Sequence, residues 1–161
     1  MLRHLALLLC FLSFLLVGGG AGCRTQTPVR VAVVAVGSAT SSLHAAHQER
    51  YIEARAALRN RMTALSVADY ARELDSINAA FALRGNAIRA LSGALYSTAL
   101  ISDNLNRGAS FEEYREPARV VLVTLRASLA VLQSPSVLGT LPLPASVETS
   151  IRLLEGVARE P

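Results

Sequence analysis

The chain has 161 residues, 52% of them hydrophobic and 17% charged, and its 16 basic residues, all arginine, outnumber 12 acidic ones for a net charge of +4. Trp is absent and only 5% of residues are aromatic, so the basic excess lacks the aromatic interleaving of a nucleic-acid surface, and that class of partner is set aside. The two cysteines, Cys10 and Cys23, are too few for a disulfide framework, which leaves packing to hold any folded domain.

The first 23 residues read as an address. Arg3 and His4 precede an apolar block from Leu5 to Val17, and small residues from Gly18 to Gly22 lead to Cys23. A cationic start, a short apolar run and small residues, in that order, make a secretory signal segment. As a helix the block would rise about 20 Å, against roughly 30 Å of bilayer hydrocarbon, so it is short for a permanent span. Gly20-Ala21-Gly22-Cys23 resembles the processing site of bacterial lipoproteins, although Gly20 stands where that pattern usually has an aliphatic residue. The resemblance covers the signal and Cys23 only. It implies removal of residues 1–22, acylation of Cys23 and attachment to membrane lipid. Arg24 follows, not the Asp that often marks inner-membrane retention in enteric bacteria, so the expected location is the outer membrane, facing the periplasm. Cleavage near Cys23 to give a soluble secreted protein, and an uncleaved anchor, are the alternatives.

Residues 23–42 are expected to form the lipidated N-terminus and a tether. Within it, Val29 to Val36 has strand-like composition, yet Thr27-Pro28 suits a helix start and no second strand is evident, so 29–36 is read as helix or irregular structure. Gly37-Ser38 and Ser41-Ser42 mark a break, or a weak point in one long helix. Residues 43–161 are expected to be the folded domain. Leu43, His47, Tyr51, Ala54, Leu58, Met62 and Leu65 recur at helical spacing, with Glu49, Arg50, Glu53, Arg55, Arg59 and Arg61 on the other face.

A second helix is expected from near Ser66 to about Asn104, with Tyr70, Leu74, Ile77, Phe81, Ile88, Leu91 and Leu95 on one arc. Arg84 lies on that arc, either snorkelling to water or buried against a carboxylate. Ala79, Ala82, Asn86, Ala90, Gly93 and Ser97 form a bare strip nearly opposite, read as a candidate interaction surface on which another helix packs closely, within the bundle or from a partner. Gly108 provides the left-handed stop. Ser110 and Glu113 have capping-box spacing for a third helix, with a kink or fresh start at Pro117. Val120 to Leu132, apolar on most sides, is expected in the middle of the bundle. A linker of about ten residues from Ser134 to Pro144 precedes a short closing helix carrying Val147, Ile151, Leu154 and Ala158. The fold class is therefore all-α, an up-and-down bundle of three to four helices after the signal segment.

Chemistry is sparse. His44 and His47 are three apart on one helical face and are weak metal candidates, because no third ligand is near in sequence and Ala45 stands where a metalloprotease would have Glu. No glycine-rich phosphate loop or nucleophile elbow is present. The expectation is a lipid-anchored interaction or structural module of the cell envelope, without a cofactor and not an enzyme, docking on an envelope protein or a second copy of itself. The alternatives are an enzyme whose site is not recognisable, or a small-ligand carrier using the bundle interior with Arg84 and Asn86 as polar contacts.

Overall fold

The computed structural model describes residues 27–159, with side chains from Val34 onward. Helix α1 runs Thr27–Asn60, a single 3-10 turn Met62–Ala64 follows, and helices α2 (Val67–Asn106), α3 (Phe111–Gln133) and α4 (Ala145–Arg159) complete an all-helical chain. The helices pack side by side, each against the next, and α2 touches all the others. Pairing is antiparallel: Tyr51 meets Asn78 and His47 meets Phe81 across α1 and α2, while Arg119 meets Ala158 and Arg126 meets Glu155 across α3 and α4. No described helix is long and apolar enough to cross a membrane.

The expected boundary at residue 42 falls inside α1, which runs uninterrupted from Thr27 past Gly37-Ser38 and Ser41-Ser42. One helical glycine costs only about 1 kcal/mol relative to Ala. The neighbouring hydroxyls bond back to the helix, Thr40 to the Val36 carbonyl at 2.8 Å and Ser42 to that of Ser38 at 3.0 Å, so they do not compete with it. Strand propensity in Val29–Val36 yields to helix for the same reason that no strand is there to pair with it among the described residues. Leu43, His47 and Leu58 of the expected face are buried, whereas Met62 falls in the 3-10 turn and is exposed.

Ser66 caps α2, its Oγ accepting from the Asp69 amide at 3.1 Å, and Ser110 caps α3 through the Glu113 amide at 3.3 Å. The end of α2 is a Schellman motif, with Ala109 N bonded to Asn104 O, Gly108 N to Leu105 O, and Gly108 at φ 93°. Helix α3 continues through Pro117 without a new start. Its apolar sequence does not place it wholly inside. Ala118, Leu122, Leu125 and Leu132 are buried, but Val120 and Val123 face outward, because α3 lies against α2 and α4 and, among the described residues, no helix covers its remaining side.

The main core is built from Leu43, Ile88, Leu91, Leu95, Leu125, Leu132 and Leu154 among others, drawn from all four helices. A smaller cluster at the far end of the α1/α2 pair joins Leu58 and Ile77 to Leu138 of the linker. That linker is long but pinned, since Leu138 and Leu141 are both buried and Gly139, at φ 68°, closes a turn onto the Ser136 carbonyl.

Candidate functional site

Among the described residues four polar or charged side chains are buried: His47, Arg84, Thr98 and Ser128. The last two are satisfied within their own helices, Thr98 on the Ala94 carbonyl and Ser128 on that of Thr124, each at 2.8 Å. His47 and Arg84 are different, for each keeps nitrogen atoms without a hydrogen-bond partner among the described residues: Nδ1 of His47, and Nε and Nη1 of Arg84. Buried polar groups usually find partners, so these two mark the part of the molecule where packing alone does not account for the residue type.

Arg84 is 1% exposed. It neither snorkels to water nor meets a carboxylate, the two outcomes its position on the apolar arc suggests. The linker instead folds over it, and Nη2 donates to the carbonyl of Gly139 and, at 3.4 Å, to that of Ser134. Burial draws its pKa below the ordinary arginine value, yet a guanidinium starts so high that it stays charged. Beside it lies an open cleft of about 330 Å³ between α2, the end of α3 and the linker, lined by Ala80, Leu83, Arg84, Ala130, Val131 and the Ser134-Pro135-Ser136 segment, with Leu83, Ala130 and the linker residues exposed. Asn86 is not part of it. That side chain is exposed and bonded to Arg89, which separates it from Arg84 as a ligand contact.

His47, 2% exposed, lies flat on Phe81 with ring centroids 4.3 Å apart and 12° between planes, and its Nε2 is 3.0 Å from the Phe81 carbonyl. A carbonyl can only accept, so Nε2 carries the proton and Nδ1 is the bare acceptor of the neutral ring. Its pKa is lowered, chiefly by burial; the Phe81 hydrogen bond raises it in part, and the charges of Arg84 and then His44 add smaller lowering effects. Tyr51 also packs on Phe81, with ring centroids 4.2 Å apart, donating to Asn78 at 2.8 Å and accepting from Arg55 at 3.1 Å. Gly85 fits below the imidazole, where a Cβ would come within 3.8 Å of Nε2.

The two histidines therefore part company: His44 faces solvent and His47 is stacked inside. Three residues along a helix turn the side chain by about 60°, enough to take one ring off the buried seam. Among the described residues no three His, Cys, Asp or Glu side chains gather as a metal site. Cys23 lies outside the described residues. Of the bare strip on α2, Ala79, Ala82, Asn86, Ala90 and Gly93 are exposed and Ser97 is half-buried. Close packing within the bundle is not their use, because α1 and α3 both seat on the bulky arc of α2 and leave the strip facing outward.

No protein-family model, curated protein or solved structure matches this chain. Sequence reasoning singled out Arg84 and His47 as members of apolar arcs. It missed that the linker supplies the roof over Arg84, and the only signal for it was the pair Leu138 and Leu141 in an otherwise proline-rich segment.

Proposed function

We propose that this chain is a lipid-anchored helical module of a bacterial cell envelope, attached through acylated Cys23 and docking its bundle onto another envelope protein or a second copy of itself. The observation that carries the reading is the signal-like segment ending in Gly20-Ala21-Gly22-Cys23, with no other cysteine after it to be used in a disulfide. The bundle supports it in a second way. Its exposed side offers the small residues Ala79, Ala82, Ala90 and Gly93 on α2, beside exposed Leu83 and Leu100, and Val120 and Val123 on α3, a relief that lets another helix approach closely. Location at the outer membrane, facing the periplasm, goes with the same reading.

The test is expression of the full chain in a bacterial host followed by detergent-phase partitioning. Two or more acyl chains hold a protein stably at a membrane, where one binds reversibly. The unsubstituted protein should partition with detergent, and Cys23→Ser should move it to the aqueous phase. If the variant remains in detergent with its signal removed, the anchor is not Cys23. A carrier reading is favoured by one specific observation, the buried cation of Arg84 beside an open cleft.

A further inference from the structure

We propose that the cleft beside Arg84 binds a small monocarboxylate bearing a short apolar tail. The charge comes first. A guanidinium shut away from water is costly unless its donors are matched by an anion or by good acceptors. Here the described residues supply only two backbone carbonyls, both to Nη2 and both from one linker, and leave Nε and Nη1 without an acceptor. A carboxylate is the acceptor that suits a guanidinium best, and one cation calls for one negative charge.

The walls then choose the rest of the ligand. Ala80, Leu83, Ala130, Val131 and Pro135 present hydrocarbon, and among the described residues Arg84 is the only charged one lining the cleft. A dianion such as phosphate would leave a charge unmatched there. A sugar would find too few polar partners and no aromatic platform. The volume, about 330 Å³, is at the small end of ordinary ligand sites, which suits a short fatty acid or an apolar keto acid and no macromolecule.

Access also follows from the contacts. The free nitrogens are sealed from solvent, so the carboxylate reaches them as the Ser134-Pro135-Ser136 segment moves aside. That segment is the weak side of the site, because its hydrogen bond to Arg84 is the long one at 3.4 Å, whereas Leu138 behind it is anchored in the Leu58 and Ile77 cluster. Helices α2 and α3 stay fixed, and a short stretch of linker opens. Nothing in this depends on how the chain is anchored.

The experiment is a titration of the purified full chain with hexanoate, hexanol and inorganic phosphate at constant ionic strength and neutral pH. It is read by thermal melting and by the nitrogen-15 resonance of the Arg84 Nε–H group. Hexanoate alone should raise the melting temperature saturably and shift the Nε–H resonance with the same midpoint. Arg84→Met should weaken hexanoate binding about tenfold or more, as expected for loss of a charge-assisted hydrogen bond. Because that variant removes the guanidinium that donates to the linker's carbonyls and could lose its fold, Ala130→Leu provides a second arm. It narrows the apolar wall and leaves Arg84 in place, and it too should weaken hexanoate binding while the ligand-free melting curve stays cooperative. Absence of a saturable hexanoate response in the unsubstituted chain overturns the proposal. So does an equal response to hexanol or to phosphate, or unchanged affinity in Ala130→Leu.

Discussion

Burial lowers the pKa of His47 below the ordinary value and favours the neutral ring, against the raising effect of the hydrogen bond that its Nε2 donates to the Phe81 carbonyl. In the unfolded chain it would titrate near 6.5, so between that pH and its lower folded pKa the unfolded state binds the extra proton. The sign follows: the contribution of neutral His47 is fully present above about pH 6.5, falls as the pH drops toward the folded pKa, and levels off below it. One proton sets a limit of about 1.4 kcal/mol per pH unit on the slope. His47→Gln should flatten the stability profile between pH 7 and 5 relative to the unsubstituted protein, while His44→Gln, which removes only the smallest of the effects on His47, should leave most of the slope. Denaturant unfolding across that range checks it. If His47→Gln keeps the full slope, or His44→Gln removes it, the coupling lies elsewhere.

At the residue scale the sequence was legible as far as periodicity goes. His47 and Arg84 could be placed on buried arcs because each is flanked by large apolar residues one turn away. What each polar atom meets there depends on chain far off in sequence, Phe81 for one and Gly139 for the other, and helical periodicity carries no information about such partners.

The element scale was more legible, because caps are local. Ser66, Ser110 and Gly108 each fix a boundary with bonds that reach only three to five residues, and the structure places all three as spacing suggests. Where two alternatives stood open, at Gly37 and at Pro117, the interrupted one fails for one cause, a local penalty outweighed by packing. Gly37 and the nearby serines do not break α1, and Pro117 does not restart α3, because Ala118, Leu122 and Leu125 immediately beyond it are buried against the other helices. The penalty is still present at Pro117, which lacks an amide to bond to the Glu113 carbonyl and sits exposed. Pro117→Ala should therefore stabilise the protein by about 1 to 3 kcal/mol, the range set by the proline cost in a helix interior. Equilibrium unfolding reads this directly. A loss of stability would mean that the proline ring contributes contacts worth more than the missing hydrogen bond.

At the scale of the whole molecule, the bundle is organised by α2, whose bulky arc takes α1 on one flank and α3 on the other and leaves its small-residue strip outside. The two uses of that strip, facing water or receiving a helix from another chain, make a joint prediction for Gly93→Leu. A Cβ added at Gly93 would meet nothing within 4 Å, so the new side chain costs no overpacking in the single chain. Replacing glycine by a good helix former should raise the monomer's stability by about 0.5 to 1 kcal/mol. The same branched side chain would stand in the path of a closely approaching helix, and at an interface overpacking costs about 1 to 3 kcal/mol. For self-association, size-exclusion chromatography at high concentration should show the unsubstituted protein moving to a larger species and the variant remaining monomeric, with the variant melting higher at low concentration. If the variant melts lower when dilute, the strip is not free in the single chain. If the unsubstituted protein stays monomeric at every concentration, docking of a second copy on this face is ruled out, and a different envelope protein remains as the occupant to be tested with the same variant.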